Sequence, residues 1–414
     1  MSGVLIPLRH RNFRLLLAGR TVNALGNAFA PIALSFAVLD LTGSVRDLGL
    51  VVGARTLTNV LFLLFGGVVA DRLPRGLVLV GAGLAAAATQ AVVAVLVLTG
   101  TATVPLLIAI SAVNGVVAAV ALPATAAIVP QTVPEDIRKQ ANGLNRMCSN
   151  GAMIVGAPLG GVVVALVGPG WGIAVDAVSF ALSAFFFAFL RLPPAEARQR
   201  SGILSDLRGG WVEFRSRTWL WVVVACACVG NVAWAGSAHV LGPVVADQTF
   251  GRQAWGLVLA AQTAGMLVGA VIAIRLRVRR LLLFGCVSCS LVTLPMLALG
   301  VWPSVPVLLV TGFVAGIGLE QFGIAWETTM QEHVPADRLA RVYSYDMLGS
   351  FLAMPVGEVA VGPIAESAGL RPTLIGAAVL MFLSIAAMLI SRDVRTLRHR
   401  LPEDVPATVK ESPA

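Results

Sequence analysis

Gly67-Val68-Val69-Ala70-Asp71-Arg72-Leu73-Pro74-Arg75-Gly76 is a short charged break between two apolar runs. Residues 48–70 before it carry one ionisable side chain, Arg55, and residues 77–99 after it carry none. About 20 consecutive apolar residues suffice for a helix to cross a bilayer. In lipid the backbone must bond to itself, so runs of this kind read as spanning helices. Working outward from the break, the same pattern recurs at 13–38, 104–129, 141–167, 171–190, 219–246, 254–274, 281–301, 304–330, 340–366 and 371–391. Together with 48–70 and 77–99 these make twelve spans. Thr42-Gly43-Ser44, Pro74, Gly100, Pro134, Gly168-Pro169-Gly170, Pro303, Pro335 and Gly369 punctuate them.

Composition agrees. The chain has 414 residues, 57% hydrophobic and 12% charged, against roughly 25% charged in a soluble protein. The net charge of +9 does not point to nucleic acid, because the arginines sit in short loops between apolar runs. Of the thirty Lys and Arg residues, Arg46, Arg252 and Arg371 fall in loops on one side, and Arg20, Arg55 and Arg146 lie within spans. The other 24 fall on the opposite side. The positive-inside rule makes that side cytoplasmic, with both termini on it. Arg9, Arg11 and Arg14 resemble a signal-peptide n-region, but the apolar run that follows is too long, so the first span reads as retained.

Residues 191–218 are the longest polar segment and divide six spans from six. The division is 1–190, a 191–218 linker, 219–391, and a 392–414 tail. Residues 208–217, with Trp211 and Phe214, read either as an amphipathic helix on the inner leaflet or as a solvated linker. The halves repeat weakly: Val133-Pro134-Glu135-Asp136 matches Val334-Pro335-Ala336-Asp337, and the same offset pairs Gly156 with Gly357 and Gly168 with Gly369. Parallel six-helix repeats suit alternating access around a midplane site. Cys286 and Cys289 show a C-x-x-C spacing, but they and Cys148, Cys226 and Cys228 lie inside apolar spans. They read as packing residues, with no metal and no cofactor. No phosphate-binding loop and no Ser-His-Asp pattern appears, so no enzyme activity is expected.

The Gly67–Gly76 stretch resembles the G-x-x-x-D-R-x-x-R loop of the major facilitator superfamily, between the second and third of twelve spans. The resemblance implies an all-α membrane protein with two six-helix pseudo-repeats, and a gating role for Gly67, Asp71, Arg72 and Arg75. The second half departs from it, with Ala273 where Asp71 aligns, although Arg275, Arg277, Arg279 and Arg280 remain. Pro123 to Gln131, Ala141-Asn142-Gly143-Leu144 and Arg55 look like the exporter branch that includes enterobactin exporters and macrolide efflux pumps. Gly156-Ala157-Pro158-Leu159-Gly160-Gly161 is similar to the antiporter motif, with its proline displaced. Gly156, Pro158, Gly160 and Gly161 then form a hinge.

Ionisable groups within spans cost at least about 2.5–3.5 kcal/mol unless partnered or hydrated. Glu320 and Glu327, seven residues apart on one face, are the proton-coupling candidates. Arg55 and Glu358 match in depth, and family packing of spans two and eleven would pair them across the gate. Arg146 is a second gate candidate, with Glu327 as its partner. Asn23, Asn27, Asn231, Trp234 and His239 are cavity candidates by family position. For Trp234 and His239 an interhelical contact is the alternative. Asp176 is given no role. The expected function is proton-coupled efflux of a small amphipathic organic compound, such as a drug, siderophore or secondary metabolite. The setting is a bacterial cytoplasmic membrane. The partners are that compound, protons and lipid, with no nucleic acid, and the chain acts as a monomer. Uptake or lipid flipping on the same scaffold, and a non-transporting receptor, are the alternatives.

Overall fold

The computed structural model describes residues 5–72, 74–126, 128–134, 137–191, 211–276 and 278–399. Backbone alone is described at 64–72, 75, 123, 124, 126, 130, 139, 336, 337, 340 and 341. Helices α1 (Arg11–Thr42), α2 (Val45–Arg72), α3 (Arg75–Leu98), α4 (Val104–Ala126), α5 (Arg138–Val167) and α6 (Pro169–Ala188) form the first half. Helices α7 (Thr218–Gln248), α8 (Arg252–Arg275), α9 (Leu281–Val301), α10 (Val305–His333), α11 (in two pieces, Ala336–Phe351 and Met354–Ala368) and α12 (Leu370–Ile390) form the second. Among the described residues eleven helices are long and apolar enough to cross a membrane; α2 completes the bundle of twelve. An even number of crossings brings both termini to one end, called here the terminal end. Five glycines with positive φ, at 43, 100, 168, 251 and 369, all close turns at the far end.

Three helices depart from the uninterrupted spans expected from sequence, and proline accounts for each. Proline lacks the N–H that would bond the carbonyl four residues back, and its ring crowds that carbonyl. Pro243 thereby frees the carbonyl of His239, and α7 widens into a π-turn over Gly236–Leu241. Pro295 follows the tightened turn Ser290–Val292 in α9. Pro355 follows the break between the pieces of α11.

The halves meet at the far end through glycines. A Cβ on Gly49 of α2 would strike the Glu358 carbonyl of α11, and one on Gly362 would fall 2.6 Å from Arg46 Cα. A Cβ on Gly161 of α5 would lie 3.0 Å from the carbonyls of Arg252 and Gln253 at the start of α8, and one on Gly256 would strike the Ala157 carbonyl. Small residues let helices approach this closely where lipid supplies no hydrophobic drive. The buried apolar side chains follow suit. One continuous cluster draws on both halves, with Ile32, Phe36, Leu48 and Ile173 from the first and Leu241, Trp255, Leu308 and Val361 from the second. Away from that layer the core is no longer shared: the first half has a cluster around Phe13, Leu16 and Ile128, and the second has its own around Leu220, Trp326 and Met330 and around Met296 and Met381. Gly143 and Gly151 on α5 and Gly323 on α10 face open space. The bundle is therefore joined at the far end and parted at the terminal end.

Most of the linker lies outside the described residues. Its last part, 211–216, is helical and docks on the second half. Trp211 and Phe214 stack at 5.8 Å, and both rings meet Tyr345 of α11. Glu213 accepts bonds from Arg217 and Arg338 at 2.6 Å each. Those two guanidinium groups hold the Glu213 carboxyl below the usual carboxylate range. For this part a packed segment replaces both the leaflet helix and the solvated linker. All five cysteines are free.

Gly357 of α11 abuts the Val232 carbonyl of α7, leaving no room for a methyl group. Gly357→Ala is expected to lower stability by about 1–3 kcal/mol through overpacking. Gly323→Ala, in open space, should be neutral or stabilising by up to about 1 kcal/mol through helix propensity. Thermal unfolding of both variants in detergent checks this, and equal shifts would contradict the packing described.

Candidate functional site: the polar groups between the halves

The face of α1 carrying Arg20, Asn23, Asn27 and Pro31 is only partly covered, and Asn27 and Pro31 are exposed. The buried Asn23 Oδ1 has no hydrogen-bond partner. Across the opening, α10 presents Glu320 and Glu327 on one face. Glu320 is buried against Gly269 of α8, and Glu327 is exposed. Arg146 on α5 reaches over and donates from Nη2 to Glu320 Oε1 at 2.7 Å. Its own side chain is 62% accessible, and a charged group so exposed within a membrane bundle belongs to a water-filled space. This is a bridge between halves at the parted end. The partner expected for Arg146 from sequence is Glu327; the structure gives it Glu320, seven residues or two turns nearer the far end.

Arg55 and Glu358 do not bond each other. Gly53 faces Val359 and Glu358 of α11, and Arg55, two residues on, is rotated by about 200° around the helix. Its Nε donates to Asn114 Oδ1 of α4 at 3.0 Å. Asn114 in turn donates to Thr89 of α3 at 3.1 Å. Asp176 on α6 accepts from Gln90 of α3 at 2.5 Å, while its Oδ1 is buried without a partner. Arg55 lies within electrostatic reach of both Asp176 and Glu358. Sequence alone gives Asp176 no role and does not single out Asn114 or Gln90. Single amides in apolar helices are common packing devices, and only the fold shows that these polar groups converge.

Glu358 bonds His239 instead: Oε1 lies 2.6 Å from Nδ1. The π-turn makes this possible. Its wider turn stacks residues five apart, so Trp234 and His239 meet edge to face at 4.8 Å. Glu358 is fully buried, whereas His239 is 34% accessible. Asn231, a turn below Trp234, donates to the Ser350 carbonyl at 2.8 Å and so supports the backbone where α11 breaks. The hinge glycines are packing surfaces: a Cβ on Gly156 would lie 2.8 Å from Ala28 Cβ, and one on Gly160 would lie 3.2 Å from Phe29 Cα, both on α1. Pro158 lies within α5 beside Gly256 of α8. Of Gly67, Asp71, Arg72 and Arg75 only the helical backbone is described, and the side chains of the last three lie outside the described residues.

A clamp that sequence alone does not suggest closes the far end. Arg252 at the start of α8 bonds Asp40 at the end of α1, bonds Asp247 at 2.7 Å, and sits 4.7 Å over the Phe36 ring. A signal for it exists: Arg252 is one of three basic residues on the wrong side of the charge bias, with Asp40 at the same face. Among the described residues no cluster suited to a metal ion occurs.

Comparison with known proteins places this architecture. The sequence model of the Major Facilitator Superfamily matches residues 16–357 and, in a second alignment, 240–411. The chain is 26% identical to the multidrug efflux pump Tap of Mycolicibacterium fortuitum, over 91% of this chain and 95% of that one. It is 21% identical to macrolide efflux protein A of Streptococcus pyogenes, over 87% and 90%. Among solved structures, the nucleoside transporter NupG superposes with a TM-score of 0.72 at 13% identity, over 92% of this chain and 100% of that one. A bacterial homolog of the human lysosomal transporter Spinster, inward-facing and unoccupied, superposes at 0.71 and 14%, over 93% and 97%.

Gln90 supplies the hydrogen bond that Asp176 makes across helices. Gln90→Leu leaves a buried acceptor unpaired and is expected to cost about 1–3 kcal/mol. Gln90→Glu, which brings a second carboxyl to Asp176, should cost more at neutral pH than at pH 5. Thermal unfolding at the two pH values reads both effects.

Proposed function

This chain belongs to the Major Facilitator Superfamily and is a multi-pass membrane transporter rather than an enzyme, and on that premise we propose that it exports a small amphipathic organic compound in exchange for protons. The observation that carries the reading is the Arg146–Glu320 bridge, which spans the parted end of the bundle where a cargo entering between the halves would meet it. The bias of basic residues towards the terminal end supports a cytoplasmic location for that end and for both termini. The arrangement is then open to the cytoplasm and sealed outside, the state in which an exporter loads. Two efflux pumps among the relatives support the direction.

Cargo and proton compete for the bridge. A cargo that displaces Arg146 leaves Glu320 in a poorly solvated place, and a proton on Glu320 releases Arg146 from it. Glu327, exposed on the same face, is the second acid that a cargo or proton passes. Asn23, Asn27, Trp234 and His239 give the walls mixed hydrogen-bonding and aromatic character, suited to an amphipathic molecule. Gly67, Asp71, Arg72 and Arg75 latch the cytoplasmic side once it closes. The close contacts at Gly156, Gly160 and Gly161, beside Pro158, are the surface on which α5 rocks against α1 and α8. The segments 1–190 and 219–391 move as the two bodies of an alternating-access cycle, in a single chain in the cytoplasmic membrane of a bacterium, with 191–218 as the connection and 392–414 as the tail.

The test is proton release from acidified inside-out vesicles, read by dye dequenching. A macrolide, a lipophilic dye cation and a catecholate siderophore are added in turn. Dequenching by one of them, lost in Glu320→Gln and reduced in Arg146→Ala, is the expected result. Dequenching that survives Glu320→Gln moves the coupling site elsewhere. No response from folded wild-type protein to any of the three would count against antiport and favour uptake, lipid flipping or a receptor role.

A further inference from the structure

The His239–Glu358 pair sits at the joint that seals the far end. Gly49 and Gly53 of α2 press on the Glu358 turn, and Gly357 beside it abuts Val232 of α7. Three helices therefore converge on one carboxyl group that no solvent reaches. One carboxyl oxygen bonds His239, and the other, Oε2, is buried without a partner. The charged and titratable groups facing the pair are few among the described residues. His239 comes from α7, Arg55 comes from α2 at electrostatic range, and Arg46 of α2 lies beside Gly362 one turn farther out. Arg55 donates to the neutral amide of Asn114 and keeps its charge, which Asp176 of α6 shares with Glu358.

We propose that His239 and Glu358 together bind the proton that closes the far-end gate, a second proton site beyond the Arg146–Glu320 bridge. The proposal rests on the proton-antiport reading. With one proton on the line between Oε1 and Nδ1 the pair is neutral overall, whichever atom carries it, and the joint stays dry. When the pair loses a proton through the outer ring nitrogen, Nε2, Glu358 is a carboxylate held at Oε1 by the Nδ1–H of a neutral imidazole, with Oε2 facing no donor. A lone buried carboxylate is costly, so the deprotonated pair favours separation of α2 from α11 and hydration of Glu358. The two members face different routes. Glu358 is reached only when the joint opens, and His239 is the member solvent reaches in the present arrangement. The proton passes from water outside the opened joint to Glu358, then to His239 Nδ1 as the joint closes. It leaves through the ring to water on the accessible side, so each cycle takes up one proton and releases one. The π-turn supplies the geometry, because it turns His239 onto Glu358 while keeping its ring against Trp234.

The test needs no cargo. Spin labels at Leu41→Cys and Ser367→Cys, both exposed at the far end on opposite halves, report separation in liposomes between pH 5 and pH 9, in a background with the native cysteines replaced. The wild type is expected to shift towards the separated population as pH rises, by up to about tenfold per pH unit for one proton. Glu358→Gln, neutral at every pH, should hold the joint closed and abolish the step. His239→Gln should retain a step with a displaced midpoint, which keeps the proposal testable if the first variant does not fold. A step unchanged in both Glu358→Gln and His239→Gln, or one lost in Glu320→Gln alone, overturns the assignment while leaving antiport standing. A wild type with no pH response overturns the far-end site alone, because antiport through Glu320 is judged by the vesicle assay with cargo.

Discussion

Where α2 crosses α11, Gly49 and Gly53 let one backbone rest on the other, and where α5 crosses α8, Gly161 and Gly256 do the same. Both crossings lie at the far end. Lipid tails are as apolar as the helices, so association must come from close packing and polar contacts. These glycine contacts, the clamp of Arg252 on Asp40 and the shared apolar cluster concentrate that association in one layer. Nearer the terminal end the apolar packing is left to each half separately, and the Arg146–Glu320 bridge spans the gap. The cleft exists because the cohesion between halves is local.

That division sorts the polar groups. At the sealed layer a polar group must find a near partner, as Glu358 finds His239. In the parted region water does part of the work, and Arg146 extends into it with most of its side chain accessible. Within the first half a third environment holds Arg55, Asn114, Thr89, Gln90 and Asp176, a polar seam linking four helices of that bundle. The second half answers with acids: Glu320, Glu327, Asp346 and Glu358 lie in its helices, where the first half has Arg20, Arg55 and Arg146. Of these, Arg146 and Glu320 meet across the opening.

The twelve spans were legible because each needs a long apolar run, and their ends were marked by Gly43, Gly100, Gly168 and Gly369, which do close turns. Depth was legible too, so Arg146, Glu320 and Glu358 could be picked out as costly groups requiring partners. Which partner each takes was not. That depends on rotation about the helix axis, and Arg55 misses Glu358 by half a turn because Gly53 occupies the facing position. Arg146 finds Glu320 rather than Glu327, two turns away on α10, because the axial offset between helices of different halves is set by their packing and not by either span alone. The docking of Trp211 and Phe214 on Tyr345 was hidden for a similar reason, since an amphipathic segment looks alike whether its apolar face meets lipid or protein.

The widened turn in α7 has a consequence for the phase of that helix. A π-turn accommodates one residue more than an α-helix would in the same rise. Beyond it, the surface of α7 is turned by about 100° relative to an unbroken helix. Before the turn, Gly230 packs on α12 and Val232 on α11; after it, Gly242 lies against the Trp255 ring of α8. A regular helix would satisfy one set of neighbours and put the other out of register. The extra residue works as a fixed angular offset, so that a single rod is keyed to its own half along most of its length and, in its last two turns, to the helix that carries the far-end clamp.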